Sequence, residues 1–159
     1  MLPIGDENAG QRRRPYVVQA LLVVNIAIFI YQLTLNEREL FEFIYRWGVV
    51  PAYVSDGDKL YTLITCAFLH GGWIHLIGNM LFLWVFGDNI EDIFGHLGFA
   101  LFYGLTAILA SGAQVLINTD NMPPMVGASG AIAGILAAYL RLFPHGRIRT
   151  MILIGFFPL

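Results

Sequence analysis

From Tyr16 to Leu35 the chain runs for about twenty residues without a charge, flanked by Arg12, Arg13 and Arg14 on one side and Asn36 on the other. As a helix rising about 1.5 Å per residue, such a run is long enough to cross a hydrocarbon core of about 30 Å. The next stretch, 36–59, carries much of the remaining charge, yet Leu40, Phe41, Ile44 and Trp47 fall on one helical face. Two readings of it stand: an interfacial segment with Tyr45, Trp47 and Tyr53 at headgroup depth, or an extramembrane loop with a short helix. A second span is predicted from about Trp73 to Phe86, with a start as early as Leu60 left open, ending in a polar turn Gly87-Asp88-Asn89-Ile90-Glu91-Asp92. A third runs from about Leu97 to Ile117 and is rich in Gly98, Gly104, Ala107, Ala110, Ser111, Gly112 and Ala113, small residues that let helix backbones approach. After the breaker loop Asn118 to Pro124, a fourth span is predicted from Val126 to Phe143, and a fifth apolar run begins at Met151 and extends to Leu159.

Composition agrees with this pattern. Of 159 residues 57% are hydrophobic and 13% charged, and the mean hydropathy is +0.67, outside the usual range of soluble domains. The fold class expected is therefore all-α, a polytopic membrane bundle with four complete spans and the start of a fifth. A cleaved signal peptide competes for the first span, but the run exceeds the ~7–15 residues of an h-region and no small-residue cleavage site follows. The single cysteine, Cys66, excludes a disulfide framework and is read as packing. The net charge of −2 says little, whereas the positions of the cations orient the chain. Arg12, Arg13, Arg14, Arg141, Arg147 and Arg149 all fall on one side if successive spans alternate, which the positive-inside rule makes the cytoplasmic side. Residues 1–15 are then a cytoplasmic tail, and both His70–Asn79 and Ser129 lie at the outer ends of their spans.

Strongly polar groups within a span are costly and point to function. Ser129 stands in Met125-Val126-Gly127-Ala128-Ser129-Gly130-Ala131, at the start of a helix where the free amides of Ala128 and Ser129 can face an anion. The supporting glycines Gly127 and Gly130 would let a substrate backbone approach. Ala131 occupies the last glycine position of the G-x-S-x-G elbow, so the run is not that motif. On spacing alone, Gly127, Gly130 and Gly134 at i, i+3 and i+7 favour a helix-packing groove, compatible with a nucleophile and expected to lie against lipid until a further helix docks there. His75 and Asn79 are one turn apart and share a face, as oxyanion donors would. His70, five residues earlier, is read as structural, its ring bonded to a loop carbonyl at the helix end. With no Cys or carboxylate beside the two histidines, neither a metal site nor a cofactor is expected.

Together, Gly127-x-Ser129-Gly130, His70-x4-His75-x3-Asn79 and Glu91-x3-Gly95 resemble the rhomboid intramembrane serine proteases. The resemblance covers the chain from its first span onward and makes 16–159 an incomplete rhomboid membrane domain. It implies a six-helix core in which Ser129 is the nucleophile, His75 and Asn79 contribute to the oxyanion hole, and the 36–59 loop lies partly in the outer leaflet. The implied substrates are transmembrane proteins cut near the outer end of their helix, without nucleic acid, and the implied location is a multi-pass site in a bacterial inner membrane. Two departures stand out. Tyr61-Thr62 occupies the place of the family's Trp-Arg pair, which puts loop anchoring in question. The family's general-base histidine belongs to a sixth span that this sequence does not contain, while His96 and His145 fall on the cytoplasmic side. The chain is thus expected to be a fragment, silent on its own, of an intramembrane endopeptidase. The alternative is a rhomboid-like pseudoprotease that binds membrane helices without cutting them.

Overall fold

The computed structural model describes residues 2–6 and 13–151. In chain order the elements are β1 (Leu2–Asp6), α1 (Tyr16–Thr34), α2 (Glu37–Trp47), α3 (Pro51–Ser55), α4 (Thr62–Thr65), a 3-10 turn at Cys66–Phe68, α5 (Trp73–Ile117), α6 (Ser129–Leu142) and β2 (Ile148–Met151). The protein is mostly helical, as expected, with one short pair of strands beside the helices. β1 and β2 pair antiparallel, with Leu2 opposite Met151 and Asp6 opposite Ile148. The alternation of Ile148, Arg149 and Thr150 suits a strand, and the expected fifth span therefore begins as strand at Met151. The rest of that run, 152–159, lies outside the described residues, as does Arg12.

α1 matches its predicted bounds to within a residue and ends where Asn36 starts α2. There Asn36 Oδ1 accepts from Glu39 N–H at 3.0 Å and Glu39 Oε2 accepts from Asn36 N–H at 3.1 Å, a reciprocal capping box. Glu37 and Glu39 in the first turn and Arg46 in the last complement the helix dipole. Gly48 stops the helix at a crowded point, where a Cβ would stand 2.7 Å from the Ile44 carbonyl oxygen. Beyond it, Val49 and Met125 exchange both backbone hydrogen bonds, at 3.0 and 2.7 Å. Tyr61 answers the question of loop anchoring: its hydroxyl donates to the Arg46 carbonyl at 2.9 Å and its ring meets Trp47 edge-on.

The second and third predicted spans are the two arms of α5. The polar stretch 87–92 is helical rather than a turn, and the break comes at Gly95, whose φ of 71° and ψ of 167° interrupt the helix. Only glycine adopts that backbone without strain. Glu91 explains the displacement. It is fully buried, and its carboxylate accepts from the amides of Val17 at 2.9 Å and Val18 at 2.8 Å, capping the first turn of α1. A Cβ at Gly87 would stand 2.9 Å from Val18 and 3.5 Å from the Phe99 ring, so α1 and both arms of α5 converge there. Val18, Phe29, Leu83, Ile90, Phe99 and Ile135 form the centre of the core.

α6 begins at Ser129, three residues later than predicted. Its glycine face is not left open. A Cβ at Gly130 would fall 2.5 Å from Ala110 Cβ, and one at Gly134 would fall 2.4 Å from Thr106 Cγ2, so the second arm of α5 fills the groove expected to face lipid. Among the described residues, α1 and α5 are long and apolar enough to cross a membrane, and α6 is shorter. Only 22% and 17% of their most apolar stretches are buried, unlike core helices of a soluble protein. Their exposed side chains include Val23, Ile30, Ile74, Leu97 and Leu116, an apolar exterior that suits lipid.

Candidate active site

The 3-10 turn at Cys66–Phe68, the start of α5 and the start of α6 meet at one end of the molecule. Gly127 N–H donates to the Cys66 carbonyl at 2.9 Å, which seats the loop before α6 against the turn before α5. Gly127 has a φ of +124°, and a Cβ there would lie 2.6 Å from both Cε1 and Nε2 of His75. The glycine is needed twice, for its backbone and for the approach of the imidazole. Ser129 then opens α6 with its side chain accessible, among first-turn amides that have no partner within the helix.

Residues 54 positions apart thus come together. His75 Nε2 lies 3.3 Å from Ser129 Oγ, and Ser129 Oγ donates to Asn79 Oδ1 at 3.1 Å. Gly71 N–H donates to His75 Nδ1 at 3.5 Å, a long bond that favours the proton on Nε2. With that tautomer the network has one direction: Gly71 to His75, His75 to Ser129, Ser129 to Asn79. Asn79 Nδ2 is buried without a hydrogen-bond partner. Beside Ser129 lies a cavity of about 160 Å³ lined by Cys66, Ala107, Ala110, Ser111, Met125 and Gly130, among others. It has room for a small side chain, or for about five waters at ~30 Å³ each. Cys66 does more than fill space, since its Sγ is 3.3 Å from Ser111 Oγ on the cavity wall.

His70 departs from its expected role. The side chain is 1% exposed, neither ring nitrogen makes a hydrogen bond of good geometry, the Phe68 backbone acts on the ring as a weak polar neighbour, and the ring packs edge-on against His75 with centroids 5.2 Å apart. Burial, and then the neighbouring His75, push this imidazole down to about 4, so it is neutral at neutral pH. What is bonded is the His70 backbone: its N–H donates to Gln32 Oε1 and its carbonyl accepts from Gln32 Nε2, both at 3.1 Å. Gln32 belongs to none of the motifs that mark the site in the sequence. A polar residue inside an otherwise apolar run was the available signal.

His96 belongs to the other end. Its Nδ1 is 2.5 Å from Glu91 Oε1 and its ring lies against Tyr16, while Gln32 reaches the site, about 24 Å along α1 at ~1.5 Å per residue. His145 follows the C-terminal end of α6. Among the described residues, no three His, Cys, Asp or Glu side chains are grouped to hold a metal ion.

Residues 57–159 match the family model described as the Rhomboid domain. Rhomboid protein 1, mitochondrial, of Saccharomyces cerevisiae is 33% identical over 138 residues, covering 83% of this chain and 38% of that protein. Rhomboid-like protein 11, chloroplastic, of Arabidopsis thaliana is 28% identical over 131 residues, covering 82% of this chain and 44% of that protein. RHOMBOID-like protein 5 of the same plant is 36% identical over 87 residues, covering 55% of this chain and 28% of that protein. The chain spans less than half the length of each. These relatives are eukaryotic, two of them named for organelles, and they give no support to the expected bacterial inner membrane.

Proposed function

The chain belongs to the rhomboid family, and from that premise we propose that it carries the nucleophile and oxyanion groups of an intramembrane serine endopeptidase. The observation that carries this reading is the Ser129 hydroxyl held between His75 Nε2 at 3.3 Å and Asn79 Oδ1 at 3.1 Å. The arms of α5, with α1 and α6, are then four spans of a polytopic bundle, its cation-rich end cytoplasmic. The substrates are transmembrane helices of other proteins, presented from the bilayer at the opposite end.

Ser129 Oγ attacks the scissile carbonyl carbon, forming a carbon–oxygen bond while the carbonyl π electrons move onto its oxygen. That oxyanion needs donors placed before the charge develops. Asn79 Nδ2, the Nε2–H of His75 and the first-turn amides of α6 supply them. As long as His75 carries its proton on Nε2, it donates toward Ser129 and cannot take the hydroxyl proton. The base that does so is assigned, by family resemblance, to a histidine on a sixth span, which the described residues do not include.

The test is cleavage of a model transmembrane substrate by the full-length protein reconstituted in vesicles. Ser129→Ala should abolish cleavage. Asn79→Ala should slow it by about 10²–10³-fold, the usual loss of one oxyanion donor, because His75 and the amides remain. Undiminished cleavage by the Ser129→Ala protein would overturn the serine mechanism. Substrate binding with neither cleavage nor Ser129 labelling by a fluorophosphonate would instead select the pseudoprotease reading.

A further inference from the structure

We propose that Gln32 is a positioning residue for the His75 imidazole, acting from α1 through the backbone of His70 and Gly71. The inference deepens the reading of Ser129 and His75 as active-site groups and rests on it for its catalytic meaning. Gln32 is buried near the C-terminal end of α1, and an amide side chain in an apolar span needs a partner for both of its polar ends. It finds both on one residue, taking the His70 N–H and giving to the His70 carbonyl at 3.1 Å each. The pair of bonds holds the chain at the one non-glycine position of the sequence His70-Gly71-Gly72 that leads into α5.

Two contacts brace His75 from behind, and both come from this pinned segment. The His70 ring stands edge-on to the His75 ring, with centroids 5.2 Å apart. The Gly71 N–H points at His75 Nδ1 from 3.5 Å and biases the proton to Nε2, the nitrogen that faces Ser129. With the Gln32 bonds removed, two consecutive glycines are free to swing the Gly71 N–H away, and His75 loses its preference for one tautomer.

The experiment reads the imidazole directly, by ¹⁵N NMR of the histidine-labelled chain in lipid bilayers at about pH 8, where histidines of ordinary pKa are neutral. The unsubstituted chain should give His75 as a single tautomer, protonated at Nε2. Gln32→Met keeps the side-chain length and removes both hydrogen bonds. It should average the His75 signal over two tautomers and speed exchange of its Nε2–H with water at least tenfold. Glu91→Gln, which weakens the cap at the far end of α1, should leave the His75 spectrum unchanged, and so separates positioning from general loosening. If Gln32→Met does not fold, Gly71→Pro deletes the N–H itself and should produce the same averaging. An unchanged His75 spectrum in whichever of these two variants folds, or an equal change in Glu91→Gln, would overturn the proposal. No substrate or turnover enters this measurement, so it can fail while Ser129-dependent cleavage stands, and the reverse.

Discussion

His70 holds an imidazole buried in the interior, which ties its protonation to unfolding. Its folded pKa, pushed down to about 4, lies below the unfolded value of about 6.5. The unfolded chain therefore takes up this proton first, and stability falls as pH drops from about 6.5 to about 4, levelling off below that. Above about pH 6.5 the group contributes no pH dependence. Thermal unfolding in micelles, followed by near-ultraviolet circular dichroism, should show a midpoint that declines through this window, and His70→Phe should flatten the decline. Equal slopes in the two proteins would mean that other groups set the acid sensitivity. At this scale the sequence was informative about Ser129, His75 and Asn79, because spacing and residue type suffice to put them on helix faces. It read the His70 ring as bonded to a loop carbonyl and could not foresee its packing on His75, which depends on a backbone that Gln32 holds from 38 positions away.

At the scale of elements, the close approach of α6 to the second arm of α5 makes a testable exchange of volumes. Gly130→Ala places a methyl 2.5 Å from Ala110 Cβ and should cost about 1–3 kcal/mol as overpacking. Ala110→Gly alone should cost roughly 0.5–1 kcal/mol through helix propensity. Combined, the two should be less destabilising than their sum, since the methyl has moved across the same interface. Strict additivity in denaturation would mean that the helices do not meet there. The glycine spacing announced a groove but not what fills it, because a small-residue stripe has no direction of its own. In the same way, Asp88, Glu91 and Asp92 suggested a polar turn. The buried Glu91, satisfied by the amides of Val17 and Val18, instead lets the helix continue to Gly95.

For the whole molecule, the two ends are chemically distinct. Ser129, His75 and Gln32 gather at one, while Arg13, the Gly95 break and the C-terminal end of α6 gather at the other, where Arg13 N–H donates to Asp92 at 2.7 Å. In sealed vesicles of the Cys66→Ala protein, Asp120→Cys and Arg147→Cys should react with an impermeant thiol reagent from opposite sides. Labelling of both from one side would contradict the proposed threading. This polarity was legible early, since the cation positions and the motif positions pointed the same way independently. The number of membrane crossings rests on taking the two arms of α5, which the non-helical backbone of Gly95 separates, as two helices.

The cap on α1 also has a place in time. The carboxylate that completes its first turn is supplied from 74 positions downstream. At a synthesis rate of about 5–20 residues per second, the amides of Val17 and Val18 wait roughly 4–15 seconds for Glu91. Through that interval they must be satisfied by water or lipid headgroups. In a chain threaded as proposed, the newborn first helix would keep its leading end at the membrane surface until the first arm of α5 arrives beside it.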